Sequence, residues 1–126
     1  MKKLAIVFPL MVAIAATPAV AATALLDGLT YRGDIGPKGQ PANGKDDIIF
    51  SNGTLRSTAC DAYGFGPGAY TAVRNGDTIV FTATTRSKSS GTINWQGTIK
   101  GGVLEGTFSC RKLLVKQNYW IKAKQQ

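Results

Sequence analysis

The chain has 126 residues, 44% of them hydrophobic, with 15 Lys and Arg against 7 Asp and Glu, two Cys and no His. That is enough for one compact domain and too little for two, and the lack of His removes the commonest acid–base catalyst and metal ligand at once. A formal net charge of +8 favours polyanions as partners, but beyond the first residues only Arg111-Lys112 are adjacent and no basic helix or arm is legible, so nucleic acid is not expected.

Lys2 and Lys3, the apolar run Leu4 to Ala16 and the small-x-small triplet Ala19-Val20-Ala21 together form an export signal. Residues 1–21 are expected to be removed, leaving one domain over 22–126 in the periplasm or the extracellular space. No Cys stands at the cleavage point to take a lipid, and the apolar run falls short of the ~20 residues that span a bilayer, so no transmembrane segment is expected in the mature chain. Without Lys2 and Lys3 the domain carries 13 basic and 7 acidic residues.

Leu29 to Ile35 alternates apolar and polar residues and reads as a first strand. Gly36 to Lys45, rich in Gly, Pro and Asn, reads as a mobile loop. Ile48–Ser51 and Thr54–Ala59 flank Asn52-Gly53, a tight hairpin that sets Phe50 opposite Leu55. Cys60 to Ala69 has too many glycines for a strand and reads as a long loop. Ala69–Asn75 and Asp77–Arg86 pair about Asn75-Gly76, which sets Arg74 against Asp77, Ala72 against Ile79 and Tyr70 against Phe81. Ser87 to Gly91 is a loop into the strongest hairpin of the chain, Thr92–Lys100 and Val103–Arg111 hinged on Gly101-Gly102. Counting from that hinge, Ile99 faces Leu104, Gly97 faces Gly106, Trp95 faces Phe108 and Ile93 faces Cys110, with every large apolar residue on one side. A turn around Lys116-Gln117-Asn118 then leads to a last strand, Tyr119 to Ala123.

Eight short strands joined in sequence by hairpins, with no helical period, make a meander whose greasy edges are best removed by closing the last strand on the first. The expected fold is all-β, an eight-stranded antiparallel up-and-down barrel, with a two-sheet sandwich as runner-up. The outward positions are Thr, Asn, Gln, Lys and Glu, which excludes an outer-membrane barrel facing lipid. Both cysteines lie in the exported part, where an even pair reads as a disulfide, Cys60 to Cys110, closing a loop of about 50 residues and contributing on the order of 4 kcal/mol. Strict alternation puts Cys60 outside and Cys110 inside, so the bond requires either a bulge near Ala59 or a Cys60 already in the loop and turned back over the sheet end; the second is preferred.

A mature chain of this size opening Leu26-Asp27-Gly28-Leu29-Thr30-Tyr31, with Trp95-Gln96-Gly97, Leu104-Glu105-Gly106-Thr107 and a closing Tyr119-Trp120, resembles the calycin-type small secreted barrels. These include lipocalins, avidins and the small bacterial periplasmic inhibitors of metalloproteases. The resemblance implies a barrel that binds, either in its interior or through its loops.

Catalysis finds no support: there is no nucleophile motif, and Asp46 and Asp47 are adjacent, so strand geometry would send them to opposite faces. No cofactor or metal is expected, since two thiolates fall short of a structural zinc site. The first expectation is a non-enzymatic protein-interaction or inhibitor-like module acting through its loops, with Tyr63, Phe65, Tyr70, Trp120 and Lys122 as the candidate surface. One alternative is a barrel holding a small apolar ligand among Tyr31, Phe50, Phe81, Trp95, Phe108 and Tyr119. The other is a basic protein that attaches to a polyanionic or envelope surface.

Overall fold

The computed structural model describes residues 24–126, so the export signal read at 1–21 lies outside the described residues. Eight strands follow one another: β1 (Thr30–Pro37), β2 (Gly44–Ser51), β3 (Thr54–Ser57), β4 (Gly68–Asn75), β5 (Thr78–Ser87), β6 (Gly91–Lys100), β7 (Val103–Lys112) and β8 (Val115–Gln125). A single helical turn, α1 (Thr58–Asp61), stands between β3 and β4. Each strand pairs antiparallel with the next, and β8 returns to β1 from Tyr31 opposite Gln125 to Pro37 opposite Tyr119, so the sheet is a closed up-and-down barrel and not a sandwich. No helix among the described residues is long and apolar enough to cross a membrane.

The β6–β7 register is the one the alternation dictates, from Ile93 opposite Cys110 to Lys100 opposite Val103. Gly97 and Gly106 face each other there because nothing larger fits: a Cβ on Gly97 would stand 2.6 Å from the Glu105 carbonyl oxygen and 3.0 Å from the Phe81 ring. The glycine pair lets Phe81 of the neighbouring strand lie across the sheet.

The structure corrects four local expectations. Between β4 and β5 the loop is Gly76-Asp77, not Asn75-Gly76, so Arg74 faces Ile79, Ala72 faces Phe81 and Tyr70 faces Ala83. Gly76 alone takes positive φ (68°), a turn that wants glycine first and leaves Asn75 in the strand. The slide is by two residues, so every side chain keeps its face. Asp77 stands not by Arg74 but 3.9 Å from Lys100.

Between β7 and β8 the turn is Leu113-Leu114, and β8 begins at Val115. Pairing of Cys110 with Gln117 and Lys112 with Val115 extends the ladder through the residues read as a turn, because backbone pairing outweighs the turn propensity of one Asn. Next, β1 and β2 reach further than expected and leave only residues 38–43 as loop; that loop is tied down by the Trp120 indole N–H, which donates to the Gln40 carbonyl oxygen at 2.8 Å.

Finally, the Cys60–Cys110 disulfide is not formed. β3 stops at Ser57 and α1 lifts Cys60 over the end of the sheet, where it and Cys110 are free thiols, each half-buried against the core. Burial pushes the Cys60 thiol up to about 11 and raises Cys110 as well, so both are held protonated as small apolar side chains.

The core is a continuous set of inward rings. Phe50 meets Tyr31, Tyr70 and Phe81 edge-to-face at centroid distances of 6.1, 5.0 and 5.6 Å. Phe108 is stacked between Trp95 at 4.4 Å and Tyr119 at 5.0 Å. Such contacts add about 0.5–1.5 kcal/mol per pair to the burial itself. Because the strands run up and down, the tight β2–β3, β4–β5 and β6–β7 turns gather at one end, here the closed end. The connections 38–43, 58–67, 88–90 and 113–114 gather at the other, the loop end.

Candidate binding surface at the loop end

Three places could bind a partner: the interior, the outer wall and the ends. The interior is occupied by its own side chains. Tyr31, Phe50, Phe81, Trp95 and Phe108 are buried, and Tyr119 is half-buried at the loop end. These six, expected as a pocket lining, spend their faces on one another, as an eight-stranded barrel allows. Trp95 also satisfies its indole by donating to the buried Thr85 hydroxyl at 3.1 Å.

The outer wall carries an open depression of about 1120 Å³ that crosses the β1–β8 seam. Its charges lie in rows along the pairing: Lys45, Asp34, Lys122 and Glu105 alternate in sign across β2, β1, β8 and β7, whereas in the next row Asp47 faces Arg32 and Arg32 faces Lys124, a like charge. Lys45 reaches Asp34 at 2.6 Å and Arg32 reaches Asp47 at 2.8 Å. Both ion pairs of this ladder join β1 to β2, and its mixed signs offer an anionic or cationic ligand no single charge to hold. Lys122, a residue of the expected contact surface, belongs to it.

Asp46 and Asp47 do part company on β2. Asp47 points out to Arg32, whereas Asp46 points in and is 3% exposed. The Asp46 carboxylate accepts from the Ser57 hydroxyl and from the Ala59 N–H at 3.0 Å, and so fixes the first turn of α1 as a roof over the loop end. Burial raises its carboxyl above the usual range, although the hydrogen bonds from Ser57 and Ala59 pull the other way.

The closed end is plugged. Leu26 is fully buried, its N–H donates to the Tyr70 hydroxyl oxygen at 3.0 Å, and that hydroxyl donates to Asp27 at 2.7 Å. Asp27 in turn accepts from the Gly53 N–H at 3.0 Å. Burial and the bond to Asp27 push the Tyr70 phenol up to about 12. Tyr70 is thus part of a latch at the end opposite the loops and leaves the expected contact surface. Phe65 leaves it too, since it is 7% exposed and packs on the core beneath its loop. Trp120 lies half-buried over Gly36, where a Cβ would come 2.9 Å from its indole nitrogen. Of the five residues expected at the surface, Tyr63 alone stands free at the loop end, 63% exposed.

What the sequence reading missed lies beside it. Leu113, Leu114 and Val115 are 86%, 100% and 61% exposed at the β7–β8 tip. The other exposed large apolar residues besides Tyr63 are Val73 and Val80, which face each other across β4 and β5 on the wall. Arg111, Lys112 and Lys116 flank the tip, and Lys38 and Lys88 stand on other loops of the same end, all exposed and in no ion pair among the described residues. The carboxylate of α1, Asp61, is already held by Arg56. A depression of about 390 Å³ lined by Ser90, Cys110, Arg111, Lys112, Leu113, Val115 and Gln117 joins the tip to the β5–β6 loop. The loop end is therefore where unpaired positive charge meets the longest run of exposed apolar residues on the described surface. Comparison of the chain with protein-family models, with curated proteins and with solved structures finds no match in any of the three.

Proposed function

We propose that this is an exported, non-enzymatic barrel of calycin-like build that acts through its loop end by attaching to a polyanionic surface. The observation that supports this reading is that the unpaired cations Lys38, Lys88, Arg111, Lys112 and Lys116 share one end with exposed Leu113, Leu114 and Val115, on a barrel whose interior is filled and whose far end is latched. A small-ligand role draws little support, because the six interior rings already pack on one another. A protein-interaction or inhibitor-like role would use the same end and is favoured by Tyr63, an aromatic left in water beside the tip's loops.

The test is elution from heparin resin in a salt gradient. Attachment driven by the loop end predicts that Lys112→Gln with Lys116→Gln elutes at clearly lower salt than wild type, while Lys122→Gln with Lys124→Gln, the same charge change on the wall ladder, shifts less. Equal shifts for the two pairs, or no retention of wild type, would sink the reading.

A further inference from the structure

We propose that the β7–β8 tip is a bilayer-inserting device: Leu113, Leu114 and Val115 enter the acyl boundary of an anionic phospholipid membrane while Arg111, Lys112 and Lys116 hold its headgroups. The inference rests on the loop end being the attachment surface and names the surface it attaches to.

The hairpin stands clear of its neighbours. Pairing with β6 reaches Arg111 and pairing with β1 reaches Tyr119, and every residue from Arg111 to Asn118 is exposed. Its turn is also unlike the others. The three tight turns of the closed end put Asn52, Gly53, Gly76, Gly101 and Gly102 at positive φ, the residues such backbones prefer. The β7–β8 turn instead puts Leu113 at φ 55° and follows it with a fully exposed Leu114. Leucine is a poor choice for a left-handed backbone and gains nothing here by packing, so turn chemistry and core packing both fail to account for it.

The flanking charges select the occupant. Two leucines and a valine capped by Arg and Lys match a bilayer, where long basic side chains reach back to phosphate while the apolar tip leaves water. A sulfated or phosphorylated glycan would neutralise the cations and leave Leu113 and Leu114 in water. Tyr63 and Lys88, on adjoining loops of the same end, supply a second, interfacial contact.

The experiment is co-sedimentation of the folded protein with vesicles of phosphatidylcholine, with and without phosphatidylglycerol, alongside the heparin column. The probe variant is Leu113→Gly with Leu114→Asn, which puts glycine at the one positive-φ position of the turn and so preserves the fold. Each leucine buried in lipid accounts for about a tenfold change in affinity, so the variant should bind phosphatidylglycerol vesicles about a hundredfold more weakly than wild type while eluting from heparin as wild type does. Wild type should bind phosphatidylcholine alone far less well. Equal vesicle binding by variant and wild type would overturn insertion and leave the attachment reading standing. Loss of heparin retention by wild type would overturn that reading itself. A wild type that sediments as a dimer where the variant is a monomer would assign the tip to a second copy of the chain and overturn the proposal.

Discussion

At the closed end, three hairpins turn on glycine-bearing pairs, and Leu26, Asp27 and Tyr70 fill the space between them with two hydrogen bonds at 3.0 and 2.7 Å. At the loop end, the connections 38–43, 58–67 and 88–90 are longer, a leucine occupies the left-handed position of the β7–β8 turn, and Lys38, Lys88, Arg111, Lys112 and Lys116 lack ion-pair partners. Both ends belong to the same eight strands, so the difference is not one of fold. One end satisfies its backbone and its apolar groups internally; the other leaves both charge and apolar area for something else to cover. A barrel made only to be stable would finish both ends alike.

The sharpest way to break this comparison is to remove a large side chain from each half. Phe50→Ala, at the meeting point of three rings, should cost about 3–5 kcal/mol and lower the melting temperature steeply, whereas Leu114→Ala at the tip should leave it within about 0.5 kcal/mol. Comparable losses would mean that the tip is structural. A smaller effect tests the latch. Tyr70→Phe keeps the ring, strands the buried Leu26 N–H and takes one donor from Asp27, which predicts a loss of about 1–3 kcal/mol in denaturant unfolding. In combination with Asp27→Ala that loss should be less than additive, because the two share one network.

The smallest expected effect is a pH dependence at the loop end. Burial raises the folded carboxyl of Asp46 above its unfolded value, so the folded state binds the proton more tightly. The penalty for burying the ionised group is then present above the folded pKa and disappears as pH falls through it. Asp46→Asn does not titrate, so wild type should gain stability relative to that variant between neutral pH and the unfolded carboxyl range, as read by urea midpoints at matched ionic strength. A difference that stays flat, or runs the other way, would show that hydrogen bonds from Ser57 and Ala59 outweigh burial there.

Much of the barrel was legible because its strands alternate with one face buried: the β6–β7 register, the Asn52-Gly53 hairpin with Phe50 opposite Leu55, and closure of the last strand on the first all follow from period two and turn chemistry. The loop end was not. Leu113-Leu114 carries no turn residue, so local chemistry pointed to Asn118 and hid the tip; only the bare triplet between Arg111-Lys112 and Lys116 hinted at it. Tyr70 and Phe65 sit in glycine-rich surroundings that look like a rim, yet their burial is decided by residues far away in sequence, Asp27 for the first and the core for the second. The cysteine pairing failed for a similar reason. Counting faces fixes in or out, whereas sulfur-to-sulfur approach depends on how far α1 carries Cys60 over the sheet.

The measurement that bears most directly on the account is amide hydrogen exchange of the folded protein with and without phosphatidylglycerol vesicles. Protection gained only in 38–43, 58–67, 88–90 and the Arg111 to Lys116 tip is the predicted footprint. Protection centred on the β1–β8 wall or on the Leu26 to Gly28 plug, with the tip unchanged, would contradict it.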